Sequence, residues 1–472
     1  MLNRRETIKL GAVAGGVLLV PTGINALAEG PTVVPFSVPL KLPPVLRPVA
    51  KTPTTDIYQV DIKPADVEIL PGTKTKVLTY NGEFPGPTIK AQKVRRTIVT
   101  YVNKLDTEAA VHLHGGHVPP QSDGYPTDTI KTGGVRVYLY PNEQQATTLW
   151  YHDHAHHREA EQVFRGLCGF YLISDSADRR LGLPSGDADV PLMFRDARFD
   201  SNAQLVYEHN DFRGRDTVLV NGRPQPYFQV TPKQYRFRLL NSSNDRAFRF
   251  QLSTGDDLMQ IGSDGGLLPA PNVTKTVDLW PGERAEVLID FSKYAPGTQI
   301  VLGNAYGHTD KDQQLLRFDV VTGAQDKGVV PAKLKAMPAV REAATTRDIA
   351  LSLDLAAGAF TINGRQFDPN RVDFQIPVGS TEIWRITNKD TNFGIPHNLH
   401  MHLVQFRVLD RNGQPPGPAE SGWKDTVTVM PGETVRIQMT FTGYTGRYVF
   451  HCHLLDHSVL SMMAQIELVG NA

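Results

Sequence analysis

Two cysteines, Cys168 and Cys452, are all that 472 residues contain, so no disulfide framework can hold this chain together. Excess charge is missing too. Lys+Arg and Asp+Glu cancel at 49 each, which removes the electrostatic case for a nucleic-acid or anionic-membrane partner. No apolar run is long enough for a membrane anchor; the clearest one, residues 11–20, is too short to span. Methionine is sparse, with nine residues scattered and no methionine-rich insert. What the chain does have is 40 Gly and 34 Pro, a composition that suits a turn-rich all-β architecture better than a helical one. The length implies two or three domains.

The N-terminus reads as an address. Asn3-Arg4-Arg5-Glu6-Thr7-Ile8-Lys9 is a twin-arginine pattern, the apolar run follows, and Ala26-Leu27-Ala28 supplies small residues for cleavage. Residues 1–28 are therefore expected to be an export signal, delivering the protein to the periplasm or beyond. Residues 29–53 are proline-rich and expected to lie extended over a domain rather than to fold alone.

From there one pattern recurs. Asn81-Gly82, Asn221-Gly222 and Asn363-Gly364 are turn dipeptides. Each precedes a short run with alternating apolar residues: 96–103, 235–241 and 381–388. A second landmark, Pro141-Asn142-Glu143, Pro281-Gly282-Glu283 and Pro431-Gly432-Glu433, follows in the same order. Three related β domains are expected, at 54–176, 188–323 and 347–472, built as Greek-key sandwiches or barrels. Linkers fall near 176–188 and 323–347.

The histidines carry the chemistry. Fifteen in 472 residues would give roughly half a His-x-His pair by chance. The chain has five such pairs in four places: His112-Leu113-His114, His152-Asp153-His154-Ala155-His156, His400-Met401-His402 and His451-Cys452-His453. On a strand, residues i and i+2 share a face, so each pair offers two imidazoles to one cluster from a stiff backbone. In His451-Cys452-His453 the imidazoles point one way and the thiolate the other, so one tripeptide can touch two metal sites and join them covalently. Around Cys452, His457, Met462 and His397 complete a set of two imidazoles, a thiolate and a weak thioether, which describes a blue-copper electron-transfer centre. Zinc fits poorly, because structural zinc sites with thiolate ligands want closed sets that one cysteine cannot supply. Setting His156 aside, domains one and three each hold four of the eight remaining paired histidines, so the cluster is expected between them with domain two as a spacer. His209 and His308, isolated in the middle repeat, are expected in surface or packing roles.

Taken with their flanks, these motifs make the chain resemble a three-domain multicopper oxidase over nearly its whole mature length. It is similar within that family to the spore-coat laccase, bilirubin oxidase and phenoxazinone synthase group. The likeness rests on Asn81-Gly82-Glu83-Phe84-Pro85-Gly86-Pro87, Ser122-Asp123-Gly124-Tyr125-Pro126, Trp150-Tyr151-His152, Trp423-Lys424-Asp425-Thr426 and Gly446-Arg447-Tyr448-Val449. The resemblance implies three cupredoxin-like Greek-key β-barrels in an all-β fold and four coppers per chain. It places a type 1 copper on His397, Cys452, His457 and Met462, and a type 2 copper on His112 and His400. Two type 3 coppers fall on His114, His152, His154, His402, His451 and His453. His117, His156 and His157 are surplus, and Cys168 is left as a buried small hydrophobe.

The activity so implied is laccase-like: one-electron oxidation of phenolic or aromatic donors coupled to reduction of dioxygen to water by a monomeric, exported enzyme. Bilirubin oxidation, oxidation of ferrous or cuprous ions, and a non-catalytic copper-binding cupredoxin-like role remain the alternatives. Two departures stand out. Asn398 replaces the proline usual after the first type 1 histidine, and Ser458 stands where many relatives carry glutamate. The second leaves Asp123 as the expected acidic partner of the cluster, against a plain turn-capping role for that residue.

Overall fold

A computed structural model describes residues 30–211, 213–392 and 394–470. The twin-arginine pattern lies outside them. Among the described residues no helix is long and apolar enough to cross a membrane.

The strands among the described residues pair into six sheets, two for each third of the chain. Alternation in the sequence is what builds them. Arg96–Asn103 and Thr381–Asn388 bury every second residue, and Gln234–Asn241 begins the same way before becoming buried on both faces. The same wiring repeats in each third. Thr55–Val67 pairs in parallel with Arg96–Asn103, Asp189–Ala197 with Gln234–Asn241, and Thr345–Asp354 with Thr381–Asn388. Each later strand then takes an antiparallel partner, respectively Val135–Tyr140, Arg284–Asp290 and Thr434–Thr440. Adjacent parallel and antiparallel strands require the chain to cross between sheets, as a Greek-key barrel does. Between the paired sheets lie three apolar cores. Tyr101 and Tyr151 anchor the first, Phe237 and Phe318 the second, and Trp384 and Phe450 the third.

The Asn-Gly dipeptides are equivalent in detail. Both residues of each adopt positive φ, the requirement of a type I′ turn. In each, the asparagine Oδ1 accepts a backbone N–H from the neighbouring strand: Asp61 at 2.7 Å, Met193 at 2.8 Å and Ala350 at 2.7 Å.

The second landmark repeats differently from the sequence expectation. Gly282 and Gly432 donate to the carbonyls of Asn241 and Asn388 ahead of the antiparallel strand. In the first domain that place belongs to Gly133, which donates to Asn103 at 2.8 Å. Pro141-Asn142-Glu143 instead follows the strand Val135–Tyr140. Asn142 does turn left-handed, and its proline flank gave it the same signature. The buried asparagines Asn103, Asn241 and Asn388 are the better marker: each side-chain amide spans two carbonyls of its own domain.

The proline-rich segment runs as a strap. Phe36 and Leu40 donate backbone hydrogen bonds to Gln225 and Tyr227 in domain two, and Leu46 donates to Thr88 in domain one. Leu40 and Leu46 pack on those two domains' cores.

Candidate metal centres

Strand pairing brings the histidine motifs together. Val111–His114 runs antiparallel to Thr147–Asp153 with His112 opposite His152. His397–Met401 pairs with Gly446–Cys452, placing His400 opposite His451 and Leu399 opposite Cys452. Domains one and three then interleave their rings: His112 stacks on His402 at 3.7 Å and His114 on His400 at 3.6 Å. Ligand-capable atoms converge within 4.8 Å in groups that include His112–His114–His400, His114–His152–His453, His154–His402–His451 and His397–Cys452–His457. All these residues are buried. His117, His156, His157, His209 and His308 belong to no such group among the described residues.

The hydrogen bonds show which ring nitrogens stay free. His112 Nδ1 donates to the Asp123 carbonyl at 2.6 Å and His400 Nδ1 to the Asp425 carbonyl at 2.9 Å. His402 Nδ1 donates to the Asp123 carboxylate at 2.7 Å and His114 Nε2 to the Asp425 carboxylate at 3.0 Å. His152 and His451 use Nδ1 on the carbonyls of Asp153 and Cys452. The opposite nitrogens are left bearing lone pairs with no donor aimed at them. His112 Nε2 and His400 Nε2 face each other at 3.4 Å, His154 Nε2 and His451 Nε2 at 3.1 Å, and His402 Nε2 and His451 Nε2 at 3.4 Å. His114 Nδ1, His152 Nε2 and both nitrogens of His453 have no hydrogen-bond partner.

Burial pushes His152 down to about 3 and His451 down to about 4, so protonation cannot relieve the crowding near neutral pH. Facing lone pairs in a buried site are what bound cations would satisfy, and three adjoining histidine groups, two of which share His114, fit the donor set of a trinuclear copper cluster.

On the other face of the strand, Cys452 Sγ lies 3.6 Å from His397 Nδ1 and 3.7 Å from His457 Nδ1, and the two imidazole nitrogens are 3.2 Å apart. Burial raises the Cys452 thiol to about 12, so a cation beside the sulfur is needed to keep it a thiolate. Met462 shares the apolar core of Cys452, whereas Met463 packs with Val449 and Phe367 in another cluster. His397 Nε2 donates to Asp390 at 2.7 Å, and His457 stacks on Phe360 at 3.9 Å.

Asn398, in place of the usual proline, is firmly held. It sits in regular pairing with Thr428, and its amide donates to the Pro281 carbonyl at 2.7 Å. Its Oδ1 lies 3.7 Å from the thiol sulfur. The Asp123 carboxylate accepts from His402 Nδ1 through Oδ2, while its Oδ1 has no hydrogen bond and lies 3.5 Å from His112 Nδ1.

Domain two, expected as a spacer, supplies buried arginines. Arg284 grips both oxygens of Asp425 at 2.6 Å, the carboxylate that holds His114. Arg215 donates to Asp456 at 2.8 Å, beside His457. Sequence reasoning missed both, along with Asp390 and Glu159. No local signal marked them: Arg284 opens the strand Arg284–Asp290, which carries Glu286 and Asp290 as well.

Family models described as multicopper oxidase match residues 61–178, 192–315 and 333–469. The chain is 36% identical to a laccase of Bacillus stratosphericus over 91% of this chain and 98% of that one. It is also 36% identical to the bilirubin oxidase of Albifimbria verrucaria, over 91% and 80%. A solved laccase from Pediococcus acidilactici superposes with a TM-score of 0.87 at 34% identity, covering 94% of this chain and 95% of that one. The chain belongs to the multicopper oxidase family. Its activity is laccase-like, that of a copper-dependent oxidoreductase with dioxygen as electron acceptor.

Proposed function

We propose that this enzyme oxidises phenolic and other aromatic donors one electron at a time at a type 1 copper and reduces dioxygen to water at a three-copper cluster. The observation that carries the reading is His451-Cys452-His453. Its sulfur faces the His397–His457 group, while its two imidazoles enter the histidine cluster on the other face. Laccase-named relatives and the lack of a methionine-rich insert support aromatic donors over metal ions.

Four coppers per chain follow from the donor sets. His397, Cys452, His457 and Met462 would hold the type 1 ion, and His112 and His400 the type 2 ion. His114, His152, His154, His402, His451 and His453 would hold the type 3 pair. When bound, copper supplies one-electron redox chemistry at the first site and multi-electron chemistry toward dioxygen at the second.

The residues of the chain do the rest. Cys452 and its flanking histidines connect the two sites through a few covalent bonds. Asp390 fixes the ring orientation of His397, and Asp123 and Asp425 fix those of His402 and His114. Asp123 keeps a partnerless oxygen beside the cluster, where it can hold a proton for oxygen reduction; burial pushes that carboxyl well above its usual range. The enzyme acts as an exported monomer after removal of 1–28, with domain limits at 54–176, 188–323 and 347–472.

Purified, copper-loaded protein should contain about four coppers per chain, one for each donor set. It should be blue, and in a steady-state screen of phenols, bilirubin, ferrous and cuprous ions it should prefer phenols. One copper per chain, or zinc in its place, overturns the reading.

A further inference from the structure

Glu159 is a carboxyl group with no salt bridge among the described residues to justify its position. It opens the helix Glu159–Phe164, five residues after His154, and is only 1% exposed. Its Oε1 accepts the Ser458 hydroxyl at 3.1 Å and its Oε2 the backbone N–H of Arg158 at 3.1 Å. Ser458 is itself fully buried, in the helix Leu455–Ser458 that carries His457 and follows directly from His453. The two helices pack through Ala160, Val163 and Leu455. Burying a carboxyl without a cation is costly unless it stays protonated, and burial pushes Glu159 up to about 8.

The surrounding titratable groups do not change that state. Asp153 raises it slightly further. Asp456 and His457 lie on the packed helix, where Asp456 is taken by Arg215 and by the hydroxyl of Tyr207. Arg158, next in the chain, lines two surface clefts of about 340 and 430 Å³, so solvent reaches to within one residue of the buried acid.

We propose that Glu159, presented through Ser458, delivers protons to the oxygen-reducing cluster as a second acid beside Asp123. This rests on the oxidase reading above. Reduction of dioxygen to two waters consumes four electrons and four protons. Each proton leaving Glu159 passes by way of the Ser458 hydroxyl, which accepts one proton as it releases another, and ends on an oxygen atom derived from dioxygen. The carboxylate left behind is reprotonated by water from the Arg158 clefts. Asp123 bears on His112 and His402; Glu159 instead meets Ser458, at the end of the segment that runs on from His453 through His457. Ser458, a weak proton source alone, works here because the carboxyl comes from another part of the chain.

Stopped-flow spectroscopy on copper-loaded enzyme separates the half-reactions. In Glu159→Gln, anaerobic bleaching of the blue band by a phenol should keep its wild-type rate, while return of the band on mixing with oxygen slows about 10- to 1000-fold. Wild-type reoxidation should fall as pH rises through about 8, where Glu159 loses its proton, and that limb should vanish in Glu159→Gln. The double variant Glu159→Gln/Ser458→Glu moves the carboxyl across the same hydrogen bond and should restore the rate. If Glu159→Gln does not fold, Ser458→Ala, which leaves Glu159 in place, decides through the same slowing. Wild-type reoxidation in these variants, or an unchanged pH profile, overturns the proposal. A loss of anaerobic bleaching in wild-type enzyme would instead strike the oxidase reading itself.

Discussion

Replacing Arg284 with methionine keeps much of the side-chain volume and removes the charge that domain two inserts between its neighbours. The guanidinium is fully buried and makes five hydrogen bonds. Three go to the carbonyls of Thr148, Gly282 and Asp264, and two to the Asp425 carboxylate. Thr148 belongs to the first domain and Asp425 to the third, so one side chain ties all three. Truncating one member of a buried ion pair strands the other charge, at about 3–5 kcal/mol. Guanidinium unfolding of the copper-free protein should show a loss of that size for Arg284→Met and a smaller one for Arg284→Lys, which keeps the charge but not the fork. Adding Asp425→Asn to Arg284→Met should recover part of the loss, because the stranded charge goes with it. Copper titration should show affinity at the cluster falling about 10- to 100-fold, as His114 loses a fixed acceptor. A loss below about 1 kcal/mol, or strictly additive single and double variants, would refute the clamp.

Three further outcomes follow from the same geometry. Cys452→Ser should abolish the blue band and turnover while the histidine cluster still binds copper, by metal analysis and electron paramagnetic resonance; near wild-type turnover would show that electrons do not enter through Cys452. Met462→Leu should raise the type 1 reduction potential, since a weak axial thioether favours the oxidised ion; a redox titration that finds it unchanged or lower would exclude Met462 as the axial ligand. Glu286 is buried, which raises its pKa, but Arg236 and Arg238 more than reverse this and hold it at about 2. Its contribution to stability is therefore complete above the ordinary glutamate range and lost as pH falls toward 2, on the order of 3 kcal/mol in all. Acid unfolding curves should show this slope in the wild type and a shallower one in Glu286→Gln.

The histidine pairs were legible because a strand's two-residue period turns spacing directly into shared direction, and the Asn-Gly turns because only certain residues accept positive φ. Both are local facts. Pro141-Asn142-Glu143 misled for the same reason: it has the local chemistry of the other two landmarks, and only the long-range partner of Gly133, the Asn103 carbonyl, reveals which turn is equivalent. Arg284, Asp390 and Glu159 stayed hidden because each acts on a group brought near by folding. Glu159 and Ser458 are 299 residues apart, and no pattern in either neighbourhood names the other. Asp123 was visible but ambiguous between turn and cluster. Its bond to His402, contributed by the third domain, exists only in three dimensions.

A chain with almost no cysteine still has a means of cross-linking itself. His112 and His400 are 288 residues apart and face one another across the seam between the first and last domains. An ion shared by them would close a loop larger than most disulfides do, and its binding energy would become adhesion between the two ends of the molecule. Thermal resistance should then track metal supply by mass action, gaining about 4 kcal/mol at a free concentration a thousandfold above the dissociation constant. Under a chelator, the seam between the outer domains should open before any single barrel melts, each barrel having its own dry core. Copper supply would thus set not only how fast the enzyme works but how long each molecule lasts.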